Sequence, residues 1–316
     1  MLDLHFPSTM VEFEATFGTE EKCREYLFRQ KWPEGFRCPR CGSCRYWSLT
    51  NREIMVCATC EHHASLTAGT HFHKTRKSLK EWFWTLYMMT TSKRGLSAKE
   101  LQRHLGCSYK TAWTWLQKLR RAMVNPDREP LSGEVEIDES YIGGPEEGVK
   151  GRETEDKAII VCAAEKDGAG TGRIRLGVVE NASRKSLKAF IQGKVAPGSV
   201  AHTDGWVGYK HLERSGYYHL VTVMRGSDKK AHEVFPRVHR IFSLVKRWVL
   251  GTHQGSVSRK HLGTYLEEFT FRFNRRTAKN RTLLFQRLIE GVVREPCLPY
   301  WQIIGRTAPH SPLEMA

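Results

Sequence analysis

EVEIDESYIGG, at residues 134–144, alternates in character. Val135, Ile137 and, after a break, Tyr141 are apolar, whereas Glu134, Glu136 and Asp138 are polar. Alternation of this kind with β-branched members reads as a half-buried strand. The Gly143-Gly144 pair then breaks the strand and starts a turn. Asp138 is thereby held on one face of a rigid element, which suits a hard divalent cation because such ions require oxygen ligands in fixed places. Taken alone, Asp138 and the adjacent Glu139 read more simply as solvated polar positions, and Glu139 should point to the opposite face.

The downstream residues shift that balance. KAIIVCAA (157–164) is an apolar run that predicts a central strand, and GRIRLGVV (172–179) predicts a third. Residues 183–192 predict a helix with Leu187, Phe190 and Ile191 inward. GSVAHTD (198–204) predicts a short strand ending in a second aspartate, Asp204, followed by Gly205, Trp206 and Tyr209. Three strands, a helix and a further strand imply a mixed sheet with helices packed on it. Aspartates on two strands of one sheet can meet as a metal-binding pair. From Pro236 a helix is expected, with Val238, Ile241, Val245 and Val249 on one stripe. His239 and Lys246 share a face of that helix, roughly 10 Å apart along its axis. Residues 237–281 hold eleven Lys or Arg against two Glu, a basic surface suited to a nuclease acting on DNA. Standing alone, His239 reads as an exposed helical histidine and Lys246 as a solvated charge.

Upstream, residues 20–30 predict a helix, with Cys23 as a buried thiol. Cys38-Pro-Arg-Cys41 and Cys57-Ala-Thr-Cys60 are separated by fifteen residues. Two such knuckles are the zinc-ribbon pattern: each turn offers two thiolates, and the four close a structural tetrahedron with no open catalytic position. SCRYWSL and REIMV between them read as the ribbon strands; Cys44, His62 and His63 are the competing ligands. Ser78 and Glu81 form a capping box that opens a helix of bulky aromatics, and Ser97 and Glu100 form another that opens a short helix ending near Leu105. After Gly106-Cys107, Ser108 caps a third helix with Ala112, Leu116, Leu119 and Met123 inward. The pair reads as a helix-turn-helix, its exposed face formed by Lys110, Thr114, Gln117 and Arg121; an ordinary helical hairpin is the competing reading. Residues 127–130 read as a linker.

The whole chain of 316 residues holds 50 Lys and Arg against 34 Asp and Glu, a formal charge of +16. That excess calls for a polyanionic partner, of which nucleic acid is the usual one and an anionic membrane surface the rival. WFWTLYMM (82–89) is too short to span a bilayer. The N-terminus lacks the pattern of a secretory signal, so a cytoplasmic protein is expected. Its nine cysteines then read as ligands or thiols rather than disulfides.

The ribbon cysteines, VEIDESYIGG, HTDGWVGY, PRVHRIFSLVKRW and KHLGTYLEEFTFRFNRR together resemble the DDE-type insertion-sequence transposases with an N-terminal zinc ribbon. More closely they are similar to the ISXO-like branch, in which the third acidic position is Glu, Asn or His and a Lys follows. The resemblance implies a multidomain α+β and α/β chain. Its parts would be a helix and zinc ribbon (1–72), a helix-turn-helix-like module (73–126), a ribonuclease-H-like catalytic domain (131–290) and a C-terminal tail (291–316). It further implies Asp138, Asp204 and His239 as ligands of catalytic Mg²⁺ or Mn²⁺, Lys246 as a phosphate contact, and structural Zn²⁺ on Cys38, Cys41, Cys57 and Cys60. Double-stranded DNA is the implied partner, bound by a homo-oligomer, with Arg247, Arg272, Arg275 and Arg276 adding to the helix-turn-helix contacts. Imidazole suits Mg²⁺ less well than a carboxylate does, and Glu267 or Glu268 is the alternative source of the missing charge. A non-enzymatic DNA-binding regulator and a decayed transposase remain the rival functions.

Overall fold

The computed structural model describes residues 7–49, 54–143, 157–224, 228, 230–278, 282–294 and 298–306. Gly144 of the opening motif, and Arg52 and Glu53 of the second expected ribbon strand, lie outside them. The chain divides into two compact units, one made of Met1–Val124 with Ala278–Ala316 and the other of Asn125–Thr277.

In the first unit, α1 (Met10–Phe17) and α2 (Glu20–Lys31) each begin at a threonine whose hydroxyl accepts a first-turn amide. The ribbon comprises β1 (Tyr46–Leu49), β2 (Ile54–Cys57) and β3 (His63–Ser65), antiparallel with β2 central; the third strand goes beyond the two expected. Lys31 donates to the carbonyls of Ser65, Leu66 and Ala68 at 3.0, 3.0 and 2.6 Å. Burial lowers its pKa to about 8. Helix α3 (Leu79–Thr91) opens on the expected capping box, and Glu20 of α2 accepts from the amides of Leu79 and Lys80 at 2.8 and 3.0 Å. Helix α4 (Ala98–Leu105) ends at Gly106, which adopts φ +56°. That left-handed conformation suits glycine and turns the chain directly into α5 (Tyr109–Ala122). Trp82 of α3 stacks on Trp115 of α5 with ring centres 3.7 Å apart.

The second unit holds β4 (Glu134–Ile142), β5 (Ala158–Asp167), β6 (Gly170–Val179), α6 (Arg184–Lys194), β7 (Val200–Asp204) and β8 (Tyr218–Thr222). Next come α7 (Ala231–Val234), α8 (Pro236–His253) and α9 (Arg259–Phe273). The sheet order is β6-β5-β4-β7-β8. β4, β5 and β6 run antiparallel in succession, and β7 and β8 add parallel to β4. This is a ribonuclease-H-like mixed sheet, with the strand of the opening motif at its centre. Both faces are covered. Val135 and Ile137 of β4 join Ile159, Val161 and Ala163 of β5 beneath Leu187 and Ile191 of α6. On the other face Ala158, Ile160, Cys162 and Ala164 pack against Val238, Ile241, Val245 and Val249 of α8, the stripe read from the sequence. The half-buried strand expected from alternation is covered on both faces: Glu136 and Glu139 are buried, whereas Glu134, Asp138 and Ser140 keep partial exposure.

Helix α10 (Thr282–Arg294) belongs to the first unit. Its Phe285 stacks on Phe17 at 5.5 Å and meets Phe83 at 6.0 Å. The catalytic boundary expected at 290 thus cuts through a helix of the other unit, and the second unit ends at Thr277. The expected tail is not a separate piece either: α10 runs to Arg294 and α11 (Tyr300–Ile303) comes after it, packed on α5. Among the described residues no helix is long and apolar enough to cross a membrane.

Gly291 marks the closest approach of α10 to α5, because a Cβ there would lie 1.9 Å from the Ala122 carbonyl oxygen. Gly291→Ala should destabilise the first unit by about 1–3 kcal/mol through overpacking. Gly263→Ala in α9, where no atom lies within 4 Å of the added carbon, should be neutral or stabilising by up to about 1 kcal/mol. Denaturant unfolding of both variants checks the contrast.

Candidate functional site

The even-numbered side chains of β4 form one line on the face that meets α8. Asp138 lies at its middle. Its Oδ2 is 3.5 Å from Nε2 of His239, and its Oδ1 accepts the Glu139 amide at 2.8 Å. The His239 Nε2 is buried and makes no hydrogen bond among the described residues. Burial, reinforced by the nearby His232 and Lys246, lowers the His239 pKa, so the ring is held neutral with a lone pair to offer. One step further along β4, Ser140 Oγ accepts from Lys246 Nζ at 2.8 Å, and burial lowers the pKa of that ammonium. His239 and Lys246 do share a face of α8, and that face lies along β4.

Asp204 ends β7, and its Oδ1 accepts the Trp206 amide at 3.0 Å. The parallel ladder pairs Glu134, Val135 and Glu136 with Val200, Ala201 and His202. The ladder ends at the Glu136 and His202 pair, and Asp138 and Asp204 lie beyond it, on the adjacent strands β4 and β7. Asp138 and the imidazole nitrogen of His239 form a donor pair suited to a divalent cation, with Asp204 on the neighbouring strand, whereas the only cluster of three or more candidate ligands among the described residues is the ribbon quartet.

The alternative acids are engaged elsewhere. Glu139 points to the opposite face, as alternation requires, and accepts from the Tyr209 hydroxyl at 2.6 Å. Glu267 forms a two-pronged pair with Arg128 at 2.6 and 2.8 Å, and Glu268 is wholly buried. The residue that the sequence reading passed over is Glu136. Only 2 % exposed, it accepts from the amides of Arg237 and Val238 at 2.8 and 3.2 Å and from the Arg237 guanidinium at 2.6 Å. A signal was available: Glu-x-Asp spacing in a strand puts both carboxylates on one face, and no Ser, Thr, Asp or Asn precedes Pro236 to cap the next helix.

In the ribbon, the four sulfurs of Cys38, Cys41, Cys57 and Cys60 lie within 4.8 Å of one another. Cys38 Sγ is 3.6 Å from Cys60 Sγ, and Cys41 Sγ is 3.5 Å from Cys57 Sγ. A tetrahedron of Zn–S bonds near 2.3 Å places its sulfurs about 3.8 Å apart, so the quartet fits structural zinc. The amides of Arg40 and Thr59 point at the Cys38 and Cys57 sulfurs at 3.4 and 3.5 Å, as suits thiolates. Cys44, His62 and His63 stand outside the quartet.

The expected DNA-reading face of α5 is only partly exposed. Gln117 is 0 % exposed, a correction to its assignment as a surface contact: α10 and α11 pack against α5. Lys110 is exposed, with its Nζ 4.3 Å over the Tyr300 ring of α11. Thr114 donates to the Lys110 carbonyl at 2.7 Å, and Arg121 is half-buried. In the second unit Arg247 is exposed and Arg272 half-buried. Arg275 donates to the Phe271 carbonyl at 3.1 Å and covers that ring. Arg276 donates to the carbonyls of Thr171, Gly172 and Phe273, so it ties the end of α9 to the β5–β6 hairpin.

Residues 130–274 match the family described as ISXO2-like transposase domain, and residues 18–63 match the transposase zinc-ribbon domain. An uncharacterized protein in transposable element ISH50 of Halobacterium salinarum is 27 % identical over 282 residues, which cover 81 % of this chain and 92 % of that protein. An uncharacterized transposase-like protein of Haemophilus influenzae is 25 % identical over 114 residues, covering 36 % of this chain and 91 % of that one. Among solved structures, the Mos1 strand transfer complex aligns over 67 % of this chain and 75 % of that chain, at 14 % identity and a TM-score of 0.28. That likeness is too slight to bear on function. A transposase zinc ribbon ahead of a ribonuclease-H-like transposase domain defines a DNA transposase. The chain therefore carries both a transposase zinc-ribbon domain and an ISXO2-like transposase domain.

Cys57→Ser should remove zinc, from about one ion per chain to none, and unfold the ribbon while leaving the second unit folded. Metal analysis and limited proteolysis of the full chain check it; retained zinc at full occupancy would point to Cys44 or a histidine as a substitute ligand.

Proposed function

We propose that this transposase binds the terminal inverted repeats of its element as double-stranded DNA and catalyses divalent-metal-dependent strand cleavage and strand transfer. The observation that carries the reading is Asp138 on the central strand, 3.5 Å from an otherwise unbonded, buried imidazole nitrogen of His239, with Asp204 ending the adjacent strand. Asp138, Asp204 and His239 would hold Mg²⁺ or Mn²⁺. The bound cation supplies Lewis acidity that activates water and later a 3′ hydroxyl, and it stabilises the leaving oxygen. The carboxylates bring the negative charge that such an ion requires. Neutral His239 brings a nitrogen donor in place of a third charge, which favours Mn²⁺ over Mg²⁺. Lys246, steered by Ser140, would present its ammonium to the scissile phosphate.

End recognition would fall to the ribbon (1–72) and the helix-turn-helix-like module (73–126), with Lys110, Thr114 and Arg121 as base-edge or phosphate contacts. Arg247 and Arg272 would hold DNA beside the catalytic residues in the unit of Asn125–Thr277. The protein would act as a homo-oligomer on DNA in the bacterial cytoplasm. The formal charge of +16 supports the affinity for phosphates on which all of this depends.

The test is cleavage of a labelled duplex bearing the element's end, with Mg²⁺ or Mn²⁺. Wild type should cut. Asp138→Asn and Asp204→Asn should lose more than about a hundredfold in rate, as when a transition-state stabilising group is removed, while still binding DNA. Wild-type rates in either variant would sink the assignment, and binding without any cleavage by the wild-type chain would support a DNA-binding regulator or a decayed enzyme.

The pH dependence carries a sign. Burial disfavours protonated His239, so the nitrogen should stay available below the ordinary value of about 6.5. Cleavage should therefore hold as pH falls to about 6.5 and fade only below it, since a ligand must be unprotonated. His239→Glu should move that limb towards the carboxylate range near about 4–5. A rate already halved at pH values of about 7 or above would contradict it.

A further inference from the structure

We propose that Glu136 is a positioning residue: from the central strand it caps the helix that carries His239, and so sets the imidazole against Asp138. Every amide at the start of α8 has an acceptor. Pro236 has no N–H. Those of Arg237 and Val238 go to Glu136 Oε2 at 2.8 and 3.2 Å, and that of His239 goes to the Phe235 carbonyl at 3.3 Å. Helices normally satisfy these groups with a side chain just ahead of the first turn. Here Phe235 occupies that place and offers none. The cap is supplied instead by a strand residue about a hundred positions earlier in the chain.

A carboxylate at a helix N-terminus is favoured by the helix dipole. Glu136 Oε1 is also bonded by the Arg237 guanidinium at 2.6 Å. Arg237 in turn reaches the carbonyls of Gly170 and Gly168 in the β5–β6 hairpin at 2.8 and 3.2 Å. On the other side His202, level with Glu136 across the β4–β7 ladder, packs its ring 4.7 Å from that of Phe235. The first turn of α8 is thereby pinned from β4, β7 and the hairpin, and His239 is the next residue of that helix. Such buried ion pairs add little net stability, because desolvation offsets the attraction. What this one supplies is register. Glu136 and Asp138 sit two residues apart on one strand face, so the element that fixes the start of α8 also carries the carboxylate that His239 meets. An apolar residue at 136 would pack against α8 without choosing which turn faces Asp138.

The proposal rests on His239 and Asp138 forming the catalytic site, and the test separates the two. In the full-length zinc-loaded protein, Glu136→Ala and Glu136→Gln are compared with wild type. The readouts are amide hydrogen exchange over the first turn of α8, turnover of a saturating end duplex, and affinity for that duplex. Exchange at Arg237 and Val238 should accelerate by about tenfold or more in Glu136→Ala, the effect of losing roughly 1.4 kcal/mol of protection. Cleavage should fall about 10- to 100-fold, as when a supporting partner of a ligand is lost, with DNA affinity unchanged and Glu136→Gln intermediate. A prop that matters only for stability would lower the melting temperature and leave turnover of the folded protein intact, and that result overturns the proposal. So does unchanged protection at Arg237 and Val238. If Glu136→Ala fails to fold, Glu136→Gln and Arg237→Lys are judged by the same criteria. If wild type does not cleave at all, the catalytic reading fails, while hydrogen exchange still decides whether Glu136 caps α8.

Discussion

A buried carboxylate joins the central strand to the helix behind it, and the candidate site depends on that join. Glu136, enclosed between sheet and α8, takes two backbone amides and a guanidinium. A charge so enclosed is tolerable only when every lone-pair direction it uses meets a donor. Those donors are the unsatisfied groups of a helix that begins with Phe-Pro and has no cap of its own. Each partner solves the other's problem. The consequence is geometric: Asp138 and Ser140, two and four residues further along, meet His239 and Lys246 of the same helix. The candidate site is thereby built from a strand and a helix locked in one register rather than from loops.

The same device recurs in the first unit. Glu20 of α2 takes the amides of Leu79 and Lys80 at the start of α3, adding an outside acceptor to a helix that already has a capping box. Lys31 at the other end of α2 directs its three donors to carbonyls at and just beyond the end of the ribbon. Polar side chains thus tie the ribbon to the helices, while the aromatic stack around Phe17, Phe83 and Phe285 supplies the apolar area that a small metal module lacks by itself.

Local sequence determined a good deal of this protein. Two Cys-x-x-Cys knuckles are a tight-turn geometry written in the chain, and they assemble where the spacing said. Period-two alternation made β4 a strand and set Glu139 away from Asp138. The stripe Val238, Ile241, Val245 and Val249 made α8 a helix and gave it its buried side. Gly106 ended α4 because only a residue without a side chain adopts that left-handed turn at no cost. These features were legible because each depends on neighbours a few residues apart.

Contacts between distant segments were not legible, and they decided the rest. Alternation cannot say whether a sheet face meets water or a helix, so Glu136 read as no more than a polar position of the strand, although α8 lies on it. Helical spacing exposed Gln117 on paper, yet the fold buries it, in a unit where α10, arriving from about 160 residues further along the chain, packs on α5. α10 likewise read as the end of the catalytic domain, although its apolar stripe packs with the N-terminal helices. Arg275 and Arg276 read as DNA-binding residues; their guanidinium groups are turned to carbonyls, in Arg276's case on a hairpin distant in sequence. The physical reason is common to all of these cases. A side chain's partner is set by which surfaces the whole chain brings together, and hydrophobic burial, which does the assembling, is non-directional and leaves no local pattern of who meets whom.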